Sequence, residues 1–400
     1  MYEVRIHLTR TFFRHLALAS ISALAIACDH PVDVSQIVTT PKAGSFDLDA
    51  GCGIVESASG GIYTLSRASA LTLRVDSRNA DGSTIAWTKS LPATGNSCTS
   101  LISSSGNLVV ATGDSVFSLN SATGAIRWRF AASNVRMASS STGKVFLSRD
   151  AFSNTPATVY ALSENDGSFT WSRTVDNLGA PFVDDARSNV YYVRRAGAVA
   201  IDISSGTVKW ETQPLGSDLT TIAAIASDGS LLIGGINDFS SRITAFAPDG
   251  TRGWVNATLT PRQLTGSPVI DDAGTVYSAA WISQFNGGVY AFSVATGATK
   301  WTHDFFRIES NVAVDSDRTV YVIAQATADS ASQIYGLRDG AVVSRVAAVS
   351  HDTFTPITIH SNKLLYYVGS TKVAFIPTAG VAASAAWPVD KHDAKRSAHR

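Results

Sequence analysis

The sequence predicts an all-β protein, an eight-bladed β-propeller with four antiparallel strands in each blade. The first observation is a repeated string: AIDISSGTVKW, at residues 200–210, returns in variants such as SLNSATGAIRW and AFSVATGATKW. The second is that the string occurs in five copies, each with a Gly four residues before its Trp. The third is the repeat length of about 43 residues, which is typical of a propeller blade.

The number of blades follows from the spacing of the tryptophans. The first six are 39 to 47 residues apart, and the next in register comes 86 residues later, so that one unit has Ser344 where the Trp is expected. The motif tryptophans are Trp87, Trp128, Trp171, Trp210, Trp254, Trp301 and Trp387. They mark eight units within residues 45–390, the first at about 45–90, and seven blades is the alternative.

Each unit contains four short runs of β-branched and aromatic residues, bounded by Gly, Asp or Asn. In the unit that ends near residue 304, these runs are SPVID, TVYSAAWI, GVYAFSV and ATKWTHD. Such runs are strand signals, and turns such as ATG and NDG fit short hairpins with a left-handed Gly. The units therefore predict meandering four-stranded sheets.

The repeated Trp has two interpretations, a stack for a ligand or quinone and packing between blades. A small side chain recurs at one position of each third strand, where it provides a shallow seat for an indole. These small residues are Ser118, Ala161, Ala200, Ala245, Ala291, Gly336 and Ala374. Because the Trp recurs all round the ring, packing is the favoured role.

The N-terminus has the pattern of a targeting segment. Three arginines precede the apolar stretch LALASISALAIA and Cys28, which predicts a signal peptide at residues 1–27. The string AIAC resembles a bacterial lipobox, so Cys28 is expected to be the lipidated first residue of the mature chain. Ordinary signal cleavage is the alternative. Residues 28–44 then form a polar tether, and residues 391–400 form a C-terminal tail.

The chain has three cysteines, and lipidation of Cys28 would leave an even pair. Cys52 and Cys98 both lie eight residues before equivalent marks of the second strand, GGIY and GNLV. They are therefore expected at equivalent places in the innermost strands of neighbouring blades. In an oxidising compartment this predicts a disulfide between Cys52 and Cys98.

The charge balance is neutral, with 32 basic and 32 acidic residues. Such a balance argues against a nucleic-acid partner or an anionic membrane surface. After the N-terminal segment, no apolar run approaches the roughly 18 residues of a membrane span. Membrane contact is expected through the lipid anchor only.

The repeat AIDISSGTVKW resembles the tryptophan-docking repeat of the PQQ-like β-propeller family. That family includes quinoprotein alcohol dehydrogenases and the propeller lipoprotein of the outer-membrane β-barrel assembly machinery, and the resemblance implies eight blades. The C-terminal WPVDKHDAKRSAHR is similar to the tail of bacterial PQQ-like repeat proteins. The quinoprotein alcohol dehydrogenases carry an adjacent pair of cysteines over the cofactor, and this chain has none. No cofactor is therefore expected.

Other candidate polar sites are two His-Asp pairs, His303–Asp304 and His351–Asp352. Both follow predicted outer strands, so they are expected on loops of one ring face. They could form a small polar or metal site, and two solvated loops are the favoured interpretation. Asp271 and Asp315 resemble fragments of calcium loops but lack the full ligand series, which favours hairpin turns instead.

The sequence thus favours a non-catalytic lipoprotein of the bacterial cell envelope, a scaffold whose partners are other envelope proteins. The resemblance adds outer-membrane protein assembly as a possible process. The anchor would hold the protein at the outer membrane or its periplasmic face, and a secreted or periplasmic protein without an anchor is the alternative. A quinone-dependent oxidoreductase and a propeller that binds a small molecule or glycan are the alternative functions.

Overall fold

In the computed structural model, the chain forms eight antiparallel sheets, the blades of a β-propeller. The predicted signal peptide, Cys28, Trp387 and the predicted tail lie outside the residues that the structure describes. The described residues are 44–47, 51–56, 61–94, 98–149, 157–175, 179–194, 197–212, 222–237, 240–257, 259, 263–281, 285–348, 356–360, 363–368 and 372–380. Among them, no helix is long and apolar enough to cross a membrane.

The first strand of the chain, β1 (Gly44–Asp47), belongs to the last blade, and the first four blades follow it in order. Blade one is β2 (Gly51–Glu56), β3 (Ile62–Ser69), β4 (Thr72–Arg78) and β5 (Ile85–Pro92). Blade two is β6 (Thr99–Ile102), β7 (Leu108–Ala111), β8 (Ser115–Leu119) and β9 (Ile126–Ala131). Blade three is β10 (Val135–Ser140), β11 (Lys144–Arg149), β12 (Thr158–Ser163) and β13 (Phe169–Thr174). Blade four is β14 (Pro181–Asp184), β15 (Asn189–Arg194), β16 (Gly197–Asp202) and β17 (Val208–Glu211), with a 3-10 turn at Asp185–Arg187.

Blades five to eight complete the ring, and in blades six and seven the innermost strand is in two pieces. Blade five is β18 (Ile222–Ile225), β19 (Leu231–Asn237), β20 (Ser240–Phe246) and β21 (Arg252–Asn256). Blade six is β22 (Gln263–Leu264), β23 (Val269–Ile270), β24 (Thr275–Trp281), β25 (Gly287–Ser293) and β26 (Thr299–Phe305). Blade seven is β27 (Arg307–Ile308), β28 (Ala313–Val314), β29 (Val320–Gln325), β30 (Gln333–Arg338) and β31 (Ala341–Ala347). Blade eight is β32 (Ile357–His360), β33 (Lys363–Val368) and β34 (Lys372–Pro377), completed by β1.

Burial falls from the inner to the outer strand of each blade. The innermost strands are almost entirely buried, as in β14, and most of them contact the innermost strand of the next blade. The outermost strands show mostly exposed side chains, and in β13 the motif Trp is the one buried position. The apolar core lies between blades: one cluster joins Phe146 and Trp171 of blade three to Val190 and Tyr192 of blade four. The ring thus buries both faces of each sheet against the neighbouring blades.

The ring is closed by the N-terminus. Strand β1 pairs with β34, so that Ser45 lies opposite Ala374, and it forms the outer strand of blade eight. Ile54 and Ile62 of blade one pack on Val373 of blade eight across the seam. The sequence-based assignment of residues from 45 onward to the first blade is therefore wrong at its start, because blade one begins at Gly51. Pairing of the two ends leaves the last sheet with four strands.

Candidate interaction surface

The motif Trp of one blade docks on the next blade. In blade two, Trp128 lies against Gly167 of blade three, where a Cβ would stand 2.8 Å from Trp128 Cδ2. The Trp128 Nε1–H donates to the Glu164 carbonyl over 2.8 Å. Gly167 has a φ of +69°, which a Gly adopts without strain. Contact and hydrogen bond together fix the two blades to each other.

This docking recurs at six described interfaces. In each, a Cβ built on the Gly of the next blade's outer hairpin would lie 3.3 Å or less from an atom of the Trp side chain. The pairs are Trp87–Gly124, Trp128–Gly167, Trp171–Gly206, Trp210–Gly250, Trp254–Gly297 and Trp301–Gly340. Five of the indoles also donate to a carbonyl of that hairpin, at 2.7 to 3.0 Å. The repeated tryptophans thus lie at blade interfaces, the place expected for packing residues.

Within its own blade, a β-bulge in the outer strand sets the direction of the motif Trp side chain. In blade three, Ala161 lies opposite Trp171 and Leu162 lies opposite Phe169, which leaves Thr170 as an extra residue. The same shift of register precedes the Trp position in blades one to seven, including blade seven, where Ser344 stands opposite Gly336. A bulge re-aims the following side chain. The small residue in the third strand is therefore the cross-strand neighbour of the Trp.

Blade seven, which lacks the Trp, docks in a different way. The Asp315 carboxylate accepts from the Gly380 backbone N–H of blade eight over 3.1 Å, and the Tyr321 hydroxyl accepts from the Ala379 N–H over 3.1 Å. Asp315 also accepts from two amides of its own turn, as Asp271 does in blade six. Both aspartates are thus hairpin-turn residues. Among the described residues, no group of three or more His, Cys, Asp or Glu could hold a metal ion.

Burial and hydrogen bonding displace several pKa values around these turns. Burial raises the pKa of Tyr191 to about 12, and it raises those of Tyr277 and Tyr321 further, with the neighbouring aspartates adding to the effect. The hydrogen bond from Ser204 is the largest cause that holds the pKa of Asp202 well below its ordinary value. The tyrosines are therefore neutral hydrogen-bonding groups in these interfaces.

The His-Asp pairs do not form a described site. His303 and Asp304 lie within the outer strand β26, so the expectation of a loop is wrong for this pair. His303 Nδ1 lies 2.8 Å from the Gly340 carbonyl of blade seven, and the His303 ring packs on Phe305. The strand simply continues past the motif Trp. His351 and Asp352 lie outside the described residues.

Cys98 is disulfide-bonded. It precedes β6, and Cys52 lies in β2 of the neighbouring blade, at the bulge between Gly51 and Gly53. Strands β2 and β6 are in contact. The side chain of Cys52 lies outside what the structure describes, so the pairing of Cys52 with Cys98 stays a prediction.

The exposed surface of the described residues includes outer strand edges and a cavity. The side chain two residues before the Trp position is apolar and exposed in five blades: Ile85, Ile126, Phe169, Val208 and Val342. A cavity of about 440 Å³ lies between the outer hairpins of blades one and two and is lined by Tyr63, Arg78, Asn79, Trp87 and Ser121, among others. Sequence reasoning missed this cavity. The signal available was the longer turn of blade one, DSRNADG, but no pattern indicates the space that it leaves.

A family described as outer membrane protein assembly factor BamB matches residues 133–346. The structure of BamB from Moraxella catarrhalis is 20% identical, with a TM-score of 0.60 over 84% of this chain and 98% of that chain. A europium-containing methanol dehydrogenase is 10% identical, with a TM-score of 0.60 over 87% of this chain and 95% of that chain.

A third similar structure is the quinohemoprotein alcohol dehydrogenase from Comamonas testosteroni, 12% identical, with a TM-score of 0.58 over 88% of this chain and 79% of that one. At such identities these structures share the fold with this chain, and the fold alone carries no function. No curated protein matches the chain in sequence.

Proposed function

We propose, since the chain belongs to the family of the outer membrane protein assembly factor BamB, that it is a non-catalytic scaffold of the bacterial cell envelope. The family match over residues 133–346 is the observation that carries the proposal. The docking geometry supports it, because the repeated tryptophans that resemble a quinone-binding motif are used between blades. The tryptophans that could suggest quinone chemistry thus have a structural role between blades.

The mechanism of such a scaffold is geometric. Docked blades hold their outer strands and hairpins in fixed positions, and a partner meets a surface that needs no ordering before it binds. The outer edge of a sheet also exposes backbone N–H and C=O groups that another chain can pair with. Binding is therefore assigned to the circumference and hairpins rather than to a catalytic pocket.

The more specific part of the proposal concerns the location of the protein in the cell envelope and its binding partners. Cys28 is assigned as the lipid-bearing residue of the mature protein, anchored at the outer membrane or its periplasmic face. The partners are other envelope proteins, and the process is outer-membrane protein assembly. An anchor raises the local concentration of a weakly binding partner at the same membrane, so modest contacts suffice.

Crosslinking in the native envelope tests this proposal. A photo-reactive amino acid is placed at exposed positions of the outer strands, such as Ile126 or Phe169, and crosslinked proteins are identified by mass spectrometry. We expect envelope proteins, among them outer-membrane assembly components, and loss of crosslinks in Cys28→Ser if the anchor is needed. Crosslinks confined to proteins unrelated to the envelope would overturn the proposal.

The same proposal predicts no redox turnover. Purified protein with calcium and PQQ is expected to show no stoichiometric binding by calorimetry and no dye reduction with alcohols or sugars. Binding of one quinone per chain, accompanied by dye reduction, would favour a quinone-dependent oxidoreductase instead.

A further inference from the structure

Among the outer strands that the structure describes, that of blade one has the longest regular edge. Its strand β5 continues in register with β4 for six residues past the bulge, from Trp87 to Pro92. Among the other described outer strands the longest such run is five residues, from Trp301 to Phe305. No described strand pairs with the outer side of β5. An edge of this length is a template on which another strand can form.

The ladder of β4 and β5 shows which backbone groups face outward. The Ala93 N–H donates to the Leu71 carbonyl over 3.0 Å, which makes 71 and 93 a hydrogen-bonded pair. Because such pairs alternate along an antiparallel ladder, Trp87, Lys89 and Leu91 bond to β4. Thr88 and Ser90 then direct both backbone groups away from β4, and Pro92 directs only a carbonyl. The edge therefore offers two outward N–H groups and three outward carbonyls.

Three further features lie along this strand. At its start, Thr84, which immediately precedes the strand, and Ala86 and Trp87 line the cavity of about 440 Å³. In its middle, Lys89 makes no hydrogen bond or ion pair with any described residue. At its end, beside Pro92, the tip of the β3–β4 hairpin presents Leu71, which is 70% exposed. A free cation is thus flanked by a cavity on one side and an apolar side chain on the other.

We infer that an extended segment of a partner protein adds to β5 as a fifth strand of blade one, with a carboxylate opposite Lys89. The inference rests on the proposed scaffold function and specifies its contact. Backbone pairing with Thr88 and Ser90 supplies affinity, and Lys89 favours an acidic over a basic segment. A second copy of this chain fits less well, because antiparallel pairing of two such edges brings the Lys89 side chains near each other. Like charges across a ladder are unfavourable.

The probe is a seven-residue peptide of alternating valine and threonine with a central glutamate, labelled with a fluorophore. Its counterpart has a central lysine. Anisotropy titrations use the full-length mature protein. We expect the glutamate peptide to bind about threefold to fivefold more tightly, and Lys89→Glu to reverse that preference. Equal binding of both peptides, or no binding at about millimolar peptide, would overturn the inference.

Two proline variants locate the site. Ser90→Pro removes an outward N–H without touching the hydrogen bonds to β4, so the fold should persist while peptide affinity falls about tenfold or more. Thr174→Pro is the matched control, because Thr174 lies three residues after the motif Trp, as Ser90 does, and the same ladder argument makes its N–H face outward in blade three. Circular dichroism and the melting temperature check that both variants are folded. An equal loss in both variants, or none in Ser90→Pro, contradicts the assignment to blade one.

This outcome is separable from that of the proposed function. If envelope partners are crosslinked at other blades while the peptide ignores β5, the scaffold function stands and the blade-one contact fails. If the peptide binds at β5 but no envelope protein is crosslinked, the blade-one contact stands and the proposed scaffold function fails.

Discussion

Trp128 of blade two and Gly167 of blade three are in such close contact that a single added methyl group would overlap the indole. A Cβ at Gly167 would stand 2.8 Å from Cδ2, at a φ of +69°. Gly167→Ala should therefore combine backbone strain with overpacking, at about 2–4 kcal/mol of unfolding free energy. Chemical denaturation measures the loss.

Gly143→Ala is the control for that prediction. Its φ is +78°, but a Cβ there meets nothing within 4 Å. This variant should lose only the cost of a left-handed Ala, about 1–2 kcal/mol. Equal losses in the two variants would mean that the contact with Trp128 contributes nothing.

The buried tryptophans should differ from the half-buried ones. Trp128 is 6% exposed, so Trp128→Ala should lower the free energy of unfolding by about 3–5 kcal/mol. Trp210 is half-buried, so Trp210→Ala should lower it by less. Trp128→Phe keeps a ring but leaves the Glu164 carbonyl without its donor, a loss of about 1–3 kcal/mol. Denaturant midpoints of the three variants give the order, and a larger loss for Trp210→Ala would contradict it.

The repeats made the blades and their docking residues predictable, because one Gly-to-Trp spacing serves the same interface each time. The closure of the ring was not predictable in this way. Strand β1 is four residues long, GSFD, and carries no mark of the repeat, so nothing in it indicates a partner at the other end of the chain. The cavity and the outward groups of β5 likewise depend on turn length and ladder phase, which the local pattern does not fix.

Asp315 should matter more than Asp271, although both build the same kind of turn. Asp315 alone also accepts an N–H from the next blade, at Gly380. Asp315→Ala should therefore cost more than Asp271→Ala, by about 1–3 kcal/mol for a hydrogen bond to a charged group. Hydrogen exchange adds a local readout: the Gly380 amide should exchange faster only in Asp315→Ala. Unchanged exchange there would exclude this docking contact.

The pH dependence of stability should include Asp202. Its pKa is held below the ordinary 3.8 by the Ser204 hydrogen bond first, with contributions from Ser205 and Lys209. A lowered folded-state pKa means that the ionised carboxylate stabilises the fold above about pH 4 and that this stabilisation is lost as the pH falls further. Asp202→Asn should thus be less stable than the parent at pH 7, with the difference shrinking in acid. Denaturation curves from pH 7 to pH 2 test this, and a constant difference would refute it.

The disulfide partner of Cys98 can be identified by alkylation under non-reducing, denaturing conditions. In the parent chain we expect Cys52 and Cys98 to be protected and to appear as one linked peptide by mass spectrometry. Cys52→Ser should release a reactive thiol at Cys98 and lower the stability by about 2–4 kcal/mol. A protected Cys98 in that variant would show that it pairs with another cysteine.

The pairing of Ser45 with Ala374 sets the order in which the fold can be completed during synthesis of the chain. Of the described strands, β1 is made first and its partner β34 is made last. Until then the ring is open, and both β1 and the outer side of β34 are unpaired edges of the kind that other chains capture. Truncation of the C-terminal blade should therefore do more than remove one blade, because it leaves the first-made strand without a place to dock.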